Sequence, residues 1–241
     1  MSARPDQPPI EQARALAGWL AGPRSRALQR ALVGRRERVL DVGSGHGIVT
    51  AELARRAAGE TVALDIDEAA LAGDEYPAGA VRVCGDARAL PFHDASFDLL
   101  LFQNVLLWVG DAEQAVAEAA RVLAPGGALV ALEPDYGGMM EHPDLGLRVI
   151  WLDALERAGA DPLIGRQLPG LCEAAGLRPW VELAHIPAHA EAEALALLLG
   201  LPLTPGERRL VEGARPIIAA AAGGWSVFLH VPYFLVVAHR D

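Results

Sequence analysis

The chain contains no lysine; all 21 of its Lys/Arg-class residues are arginine. That absence excludes Schiff-base chemistry on a lysine, a phosphate-loop lysine and a lysine nucleophile. Cysteine is nearly absent as well. Cys84 and Cys172 are too few for a disulfide framework or a CxxC metal site, and a reducing, cytoplasmic compartment is the expectation. No apolar run approaches the roughly 18 residues of a membrane span, and Met1 to Ile10, with its prolines and charges, does not look like a signal peptide. Apolar residues dominate instead, at 52% of 241 against 22% charged, which suits one domain with a large core rather than a disordered chain. A net charge of −10 disfavours unspecific attraction to nucleic acid or anionic lipid.

Residues 1–9 are polar and proline-rich and read as a loose tail. Apolar residues at helical spacing from Ile10 to Val33, interrupted by Gly22-Pro23, predict two short helices. Short apolar runs then alternate with helical stretches: Val39–Val42, Thr61–Leu64, Ala80–Val83, Phe97–Phe102 and Ala128–Leu132, the last entered through a turn at Pro125-Gly126-Gly127. Continuous apolar strands separated by helices at this spacing predict a doubly wound, mostly parallel α/β sheet with both faces covered. Beyond Glu133 the alternation relaxes. A helix is expected from about Leu145 to Ala158, a sixth strand over Trp180–Ile186, mostly helix over 188–222 and a last strand over Val231–Ala238. The organisation expected is one domain: a helical cap over 1–33, a cofactor-binding core over 34–135, and acceptor-side insertions with the last strands over 136–241.

The most informative segment is Val39–Gly47, VLDVGSGHG. A strand runs directly into Gly43, Gly45 and Gly47, where the backbone can turn sharply and approach a ligand with no Cβ in the way. The helix that follows offers free N–H groups at its start. The spacing is G-x-G-x-G and not the dinucleotide G-x-G-x-x-G. Asp65 closes the next strand, placed to accept hydrogen bonds from both ribose hydroxyls of a nucleoside. His46, between two glycines, is expected to point away.

VLDVGSGHG, ALDID, GDARALPFHDASFDLL and RVLAPGG together resemble the class I S-adenosylmethionine-dependent methyltransferases, in particular the small-molecule branch related to quinone-biosynthesis C-methyltransferases. The resemblance spans about residues 38–135 and implies a Rossmann-like, seven-stranded fold. It implies S-adenosyl-L-methionine as cofactor and S-adenosylhomocysteine as product. Carried over by position, it has Gly43, Gly45 and Gly47 lining the methionine moiety, with Asp41 anchoring the loop and reaching toward the amino group. Asp65 would take the ribose hydroxyls and Ile66 would pack on adenine. Asp86 would accept the exocyclic amine beside a backbone contact from Ala87, and Gln103 and Asn104 would border the sulfonium.

Methyl transfer from a sulfonium needs alignment first, and a general base only if the nucleophile must lose a proton. Such a base belongs beyond strands four and five, where Glu133-Pro134-Asp135-Tyr136 and Glu141-His142 stand. Tyr136 and His142 are the acid/base candidates, with Asp135 a loop-orienting residue; His185 and His189 read as structural. The end of strand four lacks the [DN]-PP-[FY] signature of amine-methylating DNA and glutamine enzymes. No HxxxE or CxxC cluster suggests a metal. Arg24, Arg26, Arg30, Arg35, Arg36 and Arg38 read as a solvated face, since no aromatics interleave with them as base stacking would require. The N-terminal helices with Trp19, and the 188–222 helices, are expected to form a lid. A small-molecule acceptor is the expected partner. A binding protein of the same fold without turnover, aminopropyl transfer, and RNA or protein methylation stay open as alternatives.

Overall fold

A computed structural model describes residues 8–73, 75–184, 188–189, 195–221 and 224–241. Most of the expected tail, and His185, lie outside the described residues, as does part of the 188–222 stretch.

The main sheet is built from β1 (Arg38–Val42), β2 (Glu60–Asp65), β3 (Val81–Cys84), β4 (Phe97–Gln103), β5 (Leu123–Pro134), β7 (Arg178–Ala184) and β10 (Tyr233–His239). Its order is β3-β2-β1-β4-β5-β10-β7. The first five strands are parallel, and β10 runs antiparallel to both β5 and β7. The strand order reverses beside β1, and a crevice opens there at the carboxyl ends of β1, β2 and β4.

Period-two alternation divides the core. Leu40, Val42, Leu100, Phe102, Leu129 and Ala131 face one cluster, while Val39, Leu99, Leu101, Val130 and Leu132 face the other. The first face carries α5 (Ala112–Val122), α6 (Leu147–Arg157), α7 (Ile164–Ala174), α8 (Leu195–Leu199) and α9 (Pro205–Ala220). The second carries α1 (Ile10–Trp19), α2 (Ala21–Arg30) and α3 (Ile48–Arg56). The remaining helix, α4 (Glu68–Leu71), is capped by the Asp67 carboxylate, which accepts from Ala69 and Ala70 N–H.

Several expectations change. The break between the first two helices falls at Leu20, because Pro23 occupies the first turn of α2, where its missing N–H leaves no bond unmade. The Pro125-Gly126-Gly127 segment does not end a helix before the strand. It lies within β5 as an irregularity, the register jumping from Phe97↔Leu123 to Leu99↔Ala128, and Gly126 takes φ +75°. The helices expected as a lid also pack into the core through one face: Leu20, Ala27 and Leu28 are fully buried against the sheet, and Leu195, Leu198, Val211 and Ile218 join the opposite core. A second sheet escaped sequence reading because its strands are two or three residues long. It comprises β6 (Met140–His142), β9 (Phe228–His230) and β8 (Ala188–His189), all antiparallel.

Candidate functional site

The glycine bend is stitched to the neighbouring strand. Gly43 and Ser44 N–H both donate to Leu64 O, at 2.7 and 3.0 Å, and Gly45 N–H donates to Asp65 Oδ2 at 2.8 Å. All three glycines have positive φ, at +70°, +54° and +83°, which only glycine adopts without strain. A Cβ on Gly43 would collide with Val105, and one on Gly47 would stand 2.6 Å from the Tyr76 ring. Tyr76 closes the outside of the bend: its hydroxyl donates to Gly45 O at 2.7 Å and lies 2.8 Å from Ser44 Oγ. His46 points away, its Nε2 2.9 Å from Pro8 O.

Beside the bend lies a cleft of about 150 Å³ lined by Val42, Gly43, Leu64, Asp65, Ile66, Gly85, Asp86, Ala87, Arg88, Val105, Trp108 and Val109. Five of the sequence-derived positions meet here: Gly43, Asp65, Ile66, Asp86 and Ala87. The Asp65 carboxylate is 2% exposed and fixed through both oxygens, Oδ1 accepting Asp67 N–H at 3.0 Å and Oδ2 accepting Gly45 N–H. Each oxygen keeps a further lone pair for a hydroxyl. Ile66 is half exposed, an apolar surface open to a flat ring. Asp86 is gripped by Arg88, with Nη2–Oδ2 at 2.6 Å and Nε 3.1 Å from both oxygens. That guanidinium holds the Asp86 carboxyl below the usual range.

Other expected residues fall outside the lining. Gly45 and Gly47 shape the bend but are covered by Asp65 and Tyr76. Asp41 anchors loop to helix: Thr50 Oγ1, on α3, donates to its Oδ2 at 2.6 Å. Burial pushes the Asp41 carboxyl up to about 7, against the Thr50 bond and Arg24. Gln103 is committed to Arg24 and Asn104 to Tyr233, whose hydroxyl donates to Asn104 Oδ1 at 2.9 Å.

The acid/base candidates stand apart from the cleft. Tyr136 stacks on Trp151 with ring centroids 5.0 Å apart, and burial raises its pKa, which makes it a poorer proton acceptor at neutral pH than its sequence position suggests. His142 is exposed on β6 and stacks on Phe228 at 5.9 Å. Asp135 orients its loop as expected, through a two-point pair with Arg166 at 2.9 and 2.8 Å. Glu141 accepts from Leu145, Leu147 and Arg148 N–H and so caps α6. Of His189 only its place in β8 is described.

In the arginine-rich stretch Arg26, Arg30, Arg35 and Arg38 are exposed, as a solvated face would have them, Arg36 is half-buried, and Arg24 is the exception. Arg24 is 3% exposed and binds Glu52, Ala17 O and Gln103. Arg26 pairs with Glu182, Arg30 lies over the Trp180 ring at 3.9 Å, and Arg36 donates to Ala31 O and Gly126 O. Sequence reading also missed Trp108 and Val109, which carry no motif and reach the cleft only through the turn after β4.

Comparison with known proteins decides the family. Residues 40–131 match the family model described as a methyltransferase domain. This segment of the chain is a methyltransferase domain. Over 218 residues, 84% of the chain, it is 33% identical to an uncharacterized 37.1 kDa protein in transposon TN4556 of Streptomyces fradiae, spanning 62% of that protein. Over 110 residues, 42% of the chain, it is 40% identical to a ubiquinone/menaquinone biosynthesis C-methyltransferase of Idiomarina loihiensis, spanning 44% of it. The chain thus spans less than two thirds of the curated relatives it matches. Among solved structures it shares its fold with the YcgJ protein of Bacillus subtilis, at TM-score 0.64 and 18% identity over 90% of this chain and 97% of that one.

The family's cofactor is S-adenosyl-L-methionine, and the methyltransferase cleft fits an adenosyl group on its own geometry. Gly43 lines the cleft and makes room for Val105 beside it, Asp65 offers two fixed oxygens for a diol, and Ile66 with Ala87 gives an apolar slot ending at the Asp86 carboxylate. Among the described residues, no helix is long and apolar enough to cross a membrane.

Proposed function

We propose that this chain methylates a small, at least partly apolar acceptor, using S-adenosyl-L-methionine bound between β1, β2 and β4. The observation that carries the reading is Asp65, a buried carboxylate held by Gly45 and Asp67 N–H at the carboxyl end of β2, with Asp86 across the same cleft. A paired acceptor for a diol and a second acceptor for an amine, joined by an apolar slot, suit the adenosine part of a ligand. Once bound, the sulfonium supplies a methyl group already activated for displacement. The protein's task is then alignment and exclusion of water. Val105 and Trp108 wall the cleft, and the Tyr136–Trp151 stack lies beyond β5 as a flat apolar surface on the acceptor side. The naming of a quinone-pathway C-methyltransferase among the relatives supports a ring-bearing acceptor of low polarity. In this reading Tyr136 shapes that surface and His142 is the remaining candidate for moving a proton.

Calorimetry with S-adenosylmethionine, S-adenosylhomocysteine and NAD tests the pocket. Binding of the two sulfur compounds without NAD supports it; binding of NAD alone defeats it. Transfer of label from methyl-tritiated cofactor into the organic-soluble fraction of a metabolite extract then separates an enzyme of this class from a protein that only binds. Label in RNA or protein would replace the acceptor class proposed.

A further inference from the structure

The turn that walls the cleft hangs from a carboxylate that no motif covers. Glu133, at the end of β5, is fully buried, and its Oε1 accepts Val105 N–H at 2.9 Å and Leu106 N–H at 3.0 Å. Its Oε2 is buried with no hydrogen-bond partner. The turn is held at further points: Asn104 takes φ +57°, its N–H donates to Leu132 O at 3.1 Å, and its side chain accepts from Tyr233. Val105 then places its methyl groups directly over Gly43, and Trp108, tied back to Val105 O at 2.9 Å, completes the wall with Val109. A wall fixed at these points stands pre-formed beside the cleft, so that a ligand does not have to order it on binding.

We propose that Glu133 is a positioning residue for the cofactor, holding the Val105–Val109 wall of the cleft in place through the backbone of Val105 and Leu106. The inference rests on the cofactor reading above. A charged acceptor holds N–H groups more tightly than a neutral one, by a factor of about five to ten for one bond. The groups facing Glu133 are few. The turn contributes Val105, Leu106 and Leu107 N–H and β10 contributes the Tyr233 phenol, which in turn faces Tyr136, while Arg166 on the adjoining α7 is committed to Asp135. Burial, working against those N–H groups, pushes the Glu133 carboxyl up to about 7. Ionisation of Glu133 near neutral pH thus tightens the wall.

The test is the affinity of the full chain for S-adenosylhomocysteine between pH 6 and pH 8, in wild type, E133Q and E133A, with thermal unfolding alongside. The expected result is wild-type binding about five- to tenfold weaker at pH 6 than at pH 8, a profile flattened in E133Q to whatever Asp41, which titrates in the same window, leaves, and a loss of tenfold or more in E133A. Should E133A not fold, the E133Q profile decides alone. Folded E133A binding within twofold of wild type overturns the proposal, as does a lowered melting temperature in E133Q with the wild-type pH profile intact. Wild type that binds no S-adenosylhomocysteine at any pH overturns the cofactor reading itself, a result distinct from either of these.

Discussion

The guanidinium of Arg24 lies 2.9 Å from Oε1 of Gln103 and so ties α2 to the carboxyl end of β4. The same group grips Glu52 of α3 through Nε and Nη2, at 2.9 and 2.6 Å, and donates to Ala17 O. One buried fork thus joins three helices and the sheet beside the cofactor cleft. Arg24→Met should cost about 2–4 kcal/mol in urea unfolding, because Glu52 and Gln103 lose their donor in a dry place. Arg56, which also pairs with Glu52, keeps the loss from going higher. Arg24→Lys should recover little, since an ammonium cannot span the fork. A cost under about 0.5 kcal/mol would show the buried pair to be ornamental.

Arg24 also marks the limit of what sequence reveals. Strands β1, β2, β4 and the later part of β5 were legible because both faces are buried and the apolar runs are continuous; β3, at the sheet edge, is largely exposed. The cleft was legible where chemistry demands residue types at fixed offsets: glycine at 43, carboxylates at 65 and 86. Arg24, Tyr76, Trp108 and Glu133 were not, because their roles depend on contacts between elements far apart in the chain. Charge spacing that suits a solvated helix face suits a buried fork equally well. The bonds that Gln103 and Asn104 accept from Arg24 and Tyr233 were not legible for the same reason: a polar residue closing a strand does not name its partners.

Gly43→Ala should destabilise the protein by about 1–3 kcal/mol and weaken S-adenosylhomocysteine binding. Its φ of +70° is strained for any residue with a Cβ, and that Cβ would meet Val105. Adding Val105→Ala removes the collision but not the strain, so the double variant should recover only part of the loss in chemical denaturation. Full recovery would assign the whole effect to packing.

Asp65→Ala should lower affinity for S-adenosylhomocysteine by about 1–3 kcal/mol, roughly five- to 150-fold, in calorimetry. It should also lower the melting temperature without ligand, since Gly45 and Asp67 N–H lose their acceptor. Asp65→Asn separates the two effects. It keeps one acceptor oxygen for the backbone and gives up the charge-assisted grip on a diol. Unchanged affinity in a folded Asp65→Ala protein would remove this residue from the site.

Asp41 offers a pH signature of its own. Its carboxyl is pushed up to about 7 by burial beside Thr50, so the folded protein holds that proton where the unfolded chain releases it near pH 4. A raised carboxyl favours folding below the unfolded value, and that advantage is lost as pH climbs through about 7. Asp41→Asn carries no titrating proton and keeps an oxygen for the Thr50 hydroxyl. Relative to that variant, wild type should therefore lose about 2–3 kcal/mol between pH 5 and pH 8, bounded by 1.4 kcal/mol for each pH unit. Glu133 titrates in the same window but is present in both proteins, so it drops out of the difference. Urea unfolding of the pair at pH 5, 6.5 and 8 reads it directly. A stability gap that stays constant, or that moves in wild type's favour as pH rises, would mean that Asp41 is ionised throughout and held by its neighbours, not neutralised by burial.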